Sequence, residues 1–147
     1  MSAVNLSAIR SRFADKVSSL DGFHESRNPF DGYGRSPNTV SHKLFSIGVG
    51  RVESRDDDRQ RRGVGVMSQS EILVRFIYRV RPKDQLDSYD ESLDVAQEVI
   101  EALTIRSAPL HDDLQIRFMG LDNELSDSGE WLTFTLNFSV LHYLYLT

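Results

Sequence analysis

Apolar residues recur in two different rhythms along this chain, and the switches between them mark out its elements. Leu6, Ile9, Phe13, Val17 and Leu20 return at steps of three and four, which puts them on one stripe of an amphipathic helix. Gly22, just after Leu20-Asp21, supplies the stop signal. From Phe23 to Asn38 the run FHESRNPFDGYGRSPN holds two Pro, two Gly and three aromatics without any period, so it predicts an irregular loop that packs on something. Phe45, Ile47 and Val49 then alternate with Ser46, Gly48 and Gly50. This is the pattern of a half-buried strand, its glycines marking a bulge or a close neighbour.

Arg51 to Arg62, RVESRDDDRQRR, is the most polar segment, with both signs of charge and one aliphatic residue. It predicts the solvated far end of a long hairpin, or a mobile loop. Ile72, Val74, Phe76, Tyr78 and Val80 resume the strand rhythm. Ser88 with Glu91 has the spacing of a capping box and leads into Leu93, Ala96, Ile100 and Leu103 at helical steps, predicting a second helix over Tyr89 to Thr104. Leu114, Ile116 and Phe118 predict a third strand, Gly120 to Gly129 a polar turn, and Leu132, Phe134, Leu136, Phe138 and Val140 a long final strand. The opposite side of that last strand is polar at Thr133, Thr135, Asn137 and Ser139, then becomes apolar and aromatic at Leu141, Tyr143 and Tyr145.

The predicted fold class is α+β. A mainly antiparallel four-stranded sheet carries two amphipathic helices on one face, in the order α-β-β-α-β-β, with a long charged hairpin or loop between the first two strands. The 147 residues fit one domain, and there is no internal repeat. Open sheet edges invite association unless covered, and a ring of identical subunits is one way to cover them.

Composition narrows the function classes. The chain has no Cys, which rules out disulfides and thiolate metal sites and suits a reducing cytoplasm. No basic, apolar leader opens it, and no apolar stretch reaches the ~20 residues of a membrane helix, so neither secretion nor a membrane span is expected. A formal charge of −5 makes nucleic acid a poor first ligand. Arg outnumbers Lys 14 to 3, and Arg is favoured at protein interfaces.

Candidate chemistry is thin. His111-Asp112-Asp113 has metal-ligand residue types, but neighbours in sequence rarely converge on one ion, and a solvated loop leading into the strand explains them. Asp56-Asp57-Asp58 lacks the alternating ligands, turn Gly and terminal Glu of a calcium loop and is flanked by Arg55 and Arg59. Gly48-Val49-Gly50 and Gly63-Val64-Gly65 are too short for a dinucleotide fingerprint. Ser41-His42 lacks the glycines of a nucleophile elbow. His24, His42, His111 and His142 are scattered and read as surface or boundary residues. No catalytic, metal or cofactor-binding residue is therefore expected, and no cofactor. Tyr and Arg on strand faces are instead candidate interface residues, Arg75, Arg79, Tyr143 and Tyr145 above all.

The opening helix AIRSRFADKVSSL, the Arg-rich strand EILVRFIYRVR, the helix SLDVAQEVIEAL, and LQIRFMG followed by WLTFTLNFSVLHYLYL resemble the tail-terminator family of long-tailed bacteriophages, also called tail-completion or minor tail protein U-like. The resemblance covers nearly the whole chain and lies in element order, length and texture. It implies a structural virion protein and not an enzyme: a homohexameric ring that caps the tail tube, stops its polymerisation and offers the head-tail joining surface. The implied partners are further copies of the chain, the major tail tube protein and a head-closure or neck protein. DNA would only pass through the lumen as cargo, and no membrane is involved. The implied location is the tail or neck of the virion, with the host cytoplasm during assembly.

The same resemblance extends the charged segment toward a neighbouring subunit or the tube. It thereby adds Arg51, Glu53, Arg55, Asp56, Asp57, Asp58, Arg59, Arg61 and Arg62 to the candidate interface. Another neck component, such as a head-closure or tail-completion adaptor, is the alternative. A small-molecule-binding or hydrolytic domain is a third, and would require convergent polar groups in a pocket.

Overall fold

The computed structural model describes residues 2–27, 41–55 and 66–144. Two helices and a five-stranded mixed sheet follow in the order α1 (Leu6–Ser18), β1 (His24–Glu25), β2 (Leu44–Ser54), β3 (Val66–Arg79), α2 (Gln85–Thr104), β4 (Gln115–Leu125) and β5 (Trp131–Leu144). The class is α+β as the sequence predicts, with one strand more. His24 and Glu25, expected in the irregular loop, form a short strand parallel to β2 at Leu44 and Phe45. Across the sheet the strands run β1-β2-β3-β5-β4. The pairs β2–β3, β3–β5 and β5–β4 are all antiparallel. Strands β3 and β4 therefore point the same way with β5 between them, and α2 makes the long crossover that two parallel strands require.

The period-two pattern decides which face is buried. On β5 every second side chain from Leu132 to His142 is buried, while those between are only half-buried. Phe76 stacks on Phe134 with ring centres 4.9 Å apart, and Phe13 of α1 meets Phe138 edge-on at 6.0 Å. Ile9, Phe13 and Val17 of α1, together with Ala96, Val99 and Leu103 of α2, join this core. Leu20 lies beyond the end of α1, in a turn that Gly22 closes at φ +78°. That is a left-handed backbone that glycine adopts without steric cost.

Several expected boundaries shift. The capping box at Ser88 and Glu91 does not form. Helix α2 begins a turn earlier with Asp84 at its N-cap, so Ser88 lies inside the helix on its buried face. Its hydroxyl accepts a hydrogen bond from the backbone N–H of Arg81, and Glu91 instead meets Tyr78 and Arg81. The buried stripe is accordingly Ser88, Ser92, Ala96, Val99 and Leu103, with Leu93 and Ile100 only half-buried. The two serines disguise this stripe in the sequence.

The polar turn expected over Gly120–Gly129 is another correction. Gly120 to Leu125 continue β4, paired with β5 past a bulge at Met119. The true turn spans residues 126–130, where the Ser126 N–H donates to the Trp131 carbonyl at 2.8 Å and Gly129 takes φ +74°. Asp122, Asn123 and Glu124 are exposed, as an edge strand allows. Arg51 to Ser54, read as part of a solvated segment, belong to β2 and keep their ladder with β3 down to Ser54 opposite Ser68.

Candidate functional site

Alternation leaves the other face of the sheet without a helix. Rows of side chains cross it from β2 to β4: Ser46, Arg75, Thr135 and Asp122 in one row, Gly48, Leu73, Asn137 and Gly120 in the next. Most of this face is polar. The Gln69 amide donates to the Ser139 hydroxyl at 2.6 Å, and the Asn137 amide donates to the Glu71 carboxylate at 3.3 Å. Gly50 admits that carboxylate: a Cβ there would come within 2.3 Å of a Glu71 oxygen. The chain also bulges here, since Gly50 and Arg51 together oppose Glu71. Both readings of the strand glycines thus hold at Gly50.

Two concavities flank these rows. One, about 190 Å³, lies among Arg51, Glu53, Gln69, Glu71, Met119 and Asn137. The other, about 770 Å³, follows the β1–β2 margin among Arg10, Glu25, Ser46, Gly48, Val49 and Arg75. Among the described residues neither gathers a nucleophile with a base and its orienting partner, the arrangement covalent chemistry requires. Among the described residues no three His, Asp or Glu side chains stand close enough to share a metal ion.

The predicted interface residues are distributed rather than clustered. Arg75 and Arg79 are exposed on the bare face of β3. Arg51 and Glu53 lie on β2 and pair with each other, both largely in solvent. Arg55 follows, its N–H donating to the Met67 carbonyl at 2.7 Å. Tyr143 sits opposite Met67 at the far end of β5 from Arg79, whose neighbour there is Trp131. It is half-buried and tied into its own chain, because its carbonyl accepts the Val4 N–H at 2.9 Å. Asp56, Asp57, Asp58, Arg59, Arg61, Arg62 and Tyr145 lie outside the described residues.

The histidines divide two and two. His24 and His42 are exposed as expected, with His24 2.6 Å from the Ser41 hydroxyl and His42 accepting the Arg79 N–H at 3.1 Å. His111 and His142 are buried, contrary to the surface or boundary reading, and Asp113 of the same loop is half-buried, accepting the Ser2 N–H. His142 Nε2 lies 2.7 Å from the Ser70 hydroxyl, and neither residue has any exposed surface. Burial pushes the His142 pKa below its ordinary value, opposed in part by the nearby Tyr143 backbone. A serine and histidine sealed from solvent admit no substrate, so the contact satisfies the Ser70 hydroxyl and His142 Nε2 within the core, while His142 Nδ1 has no partner among the described residues. Sequence reasoning missed it because 72 positions separate the partners. Ser68 and Ser70 falling in phase with Ile72 and Val74 were the available signal.

Near the start of α2, Arg81 donates to Glu91 at 3.1 Å and Tyr78 to the same carboxylate at 3.3 Å. The Arg81 hydrogen bond holds the Glu91 carboxyl below its ordinary range, while burial and then Glu91 raise the Tyr78 phenol. Burial, followed by the charges of Lys43 and Arg79, lowers His42. This set, with Tyr78 buried and Arg81 and Glu91 exposed, fastens α2 to the end of β3.

The edges carry what sequence reading passed over. Strand β4 pairs only with β5, and β2 beyond Phe45 pairs only with β3 among the described residues. Arg117, Asp122 and Glu124 on β4 are exposed and make no ion pair among those residues; the same holds for Arg75. The expected turn hid the two acidic residues as solvated loop. A comparison with models of known families finds no match, and no curated protein matches the chain.

Proposed function

We propose that this chain is a ring-forming structural protein of a long-tailed phage that ends the tail tube and presents the surface where head and tail join. The carrying observation is a sheet in which β4 at one edge, and β2 beyond its short pairing with β1 at Leu44 and Phe45, each have a margin lacking a partner among the described residues. The two margins face opposite ways, so copies following head to tail would cover each other's edges and close when the rotation allows. Capping is then a matter of shape. One side of the ring matches the last tube subunits, the other does not, and growth stops without a covalent step. The element order that resembles tail terminators adds the tube as the partner. Mixed charge on the bare face suits it to docking in one register, because complementary charge excludes wrong partners more than it adds affinity.

Polymerising purified tube subunit with and without the protein tests this reading. Tubes should shorten as protein is added, with the protein found at their ends. Unchanged lengths would overturn the terminator reading, and co-sedimentation with a head connector alone would favour a different neck component.

A further inference from the structure

The long strands β2 and β4 each carry one bulge, and the two bulges match. On β2 the residues Gly50 and Arg51 intervene between Val49 and Val52, both of which are aligned with core positions of β3, namely Ile72 and Ser70. On β4 Met119 and Gly120 intervene between Phe118 and Leu121, aligned with the core positions Phe138 and Leu136 of β5. A bulge resets which side chains face the core. Two bulged strands therefore keep their faces in phase along their full length only if the bulges lie opposite each other. In the order β2-β3-β5-β4 each neighbour runs antiparallel to the last. The β2 of a second copy in the same orientation would thus meet β4 antiparallel and continue the alternation.

We propose that β4 of one copy adds to β2 of the next in a single register, with Val49 opposite Leu121, Val52 opposite Phe118 and Glu53 opposite Arg117. This joint rests on the self-assembly reading above and supplies its contact. All four apolar partners are half-buried or exposed within one chain, Val49 at 36%. The register aligns the bulges and brings Arg117, which has no ion pair among the described residues, to Glu53. It also places Asp122 against Gly48, where a side chain would meet nothing within 4 Å, and the joint stops there because Glu25 and Ser26 already hold the β2 margin at Phe45. Arg75 stands one strand behind Ser46, within the concavity along this margin, so its guanidinium can reach over Gly48 to the Asp122 carboxylate. Glu53 is the one acidic residue at that end of β2, between Arg51 and Arg55 and already paired with Arg51, so Arg117 would share its carboxylate.

A symmetric β4–β4 pair is the rival arrangement. It also aligns its bulges and puts Arg117 against Asp122, but it leaves the β2 margin open and cannot extend into a ring.

Charge reversal separates the two. In the β4–β2 joint, Glu53→Arg and Arg117→Glu each set like charges opposite, and each should raise the concentration needed for assembly about tenfold in light scattering. The double variant restores an opposite-sign pair at every joint and should return to within about threefold of the parent. A symmetric pair would ignore Glu53→Arg and would not be rescued by the double variant, which would overturn the proposal.

Because the chain has no cysteine, Val49→Cys with Leu121→Cys in one chain gives an independent readout. Oxidation should yield a ladder of linked copies from the double variant and none from either single. Normal assembly by both charge variants without a ladder would overturn this joint and leave the ring standing. A parent chain that stays monomeric at every concentration, alone and with tubes, would overturn both.

Discussion

The two faces of the sheet are built from the same strands, yet they hold different kinds of interaction. On the helix-covered face Phe76, Phe134 and Phe138 have no exposed surface and pack against one another and α1. On the bare face the same strands offer Glu71, Asn137, Gln69 and Ser139 in hydrogen bonds, with Arg75 and Arg79 exposed. Stability resides mainly in the first face, because removing apolar surface from water is the dominant favourable term in folding. The second, together with the strand margins, is free to carry recognition at little cost to the fold. Substitutions should accordingly separate the two properties.

The largest effect is expected in the core. Phe134→Ala removes a ring stacked on Phe76 and should cost about 3–5 kcal/mol in urea unfolding. A loss near zero would mean that this face does not hold the fold.

An intermediate effect comes from His142, a polar group within the covered face. Its pKa is lowered in the folded state, so below its ordinary value of 6.5 the unfolded chain binds the proton more readily. Its contribution is complete above that pH and declines as pH falls toward the lowered folded value. His42 acts in the same direction. Glu91, also lowered, supports the fold above its ordinary value of 4.5 and loses that contribution on further acidification. Stability measured by thermal melting should therefore begin to fall just below pH 6.5, and His142→Gln should flatten that first decline. An unchanged slope in the variant would show that His142 does not titrate with unfolding.

The smallest effect on stability belongs to the bare face. Arg75→Ala replaces an exposed side chain and should change unfolding by less than about 0.5 kcal/mol while weakening assembly in light scattering. A variant that lost stability but assembled normally would reverse the division of roles between the faces.

The strand at Phe134 and Phe138 was legible because its alternation is unbroken over more than ten residues. The start of α2 was not. Ser88 and Glu91 have capping-box spacing, but Ser88 is drawn onto the buried face and Glu91 is taken by Arg81 and Tyr78 from the neighbouring strand. The residues from Gly120 to Leu125 read as a turn because polar and glycine residues dominate, yet β5 supplies a ladder that holds them extended. Among the candidate interface residues, the positions of Arg75 and Arg79 followed from their phase on β3. Arg117, Asp122 and Glu124 stood out only once β4 was seen as an edge.

The alternation of side chains by itself determined which residues meet in the core, because a strand turns successive side chains to opposite faces whatever lies beside it. Helical spacing did the same for Ile9, Phe13 and Val17. Only the tertiary structure decided the strand order. Inserting β5 between β3 and β4 depends on pairing β3 with β5 across α2 and β4 in the chain, where no local signal distinguishes one neighbour from another. That choice puts β4 at one edge and leaves β2 beyond Phe45 with one margin unpaired among the described residues, and so it also decides which backbone hydrogen-bonding groups remain there for a partner.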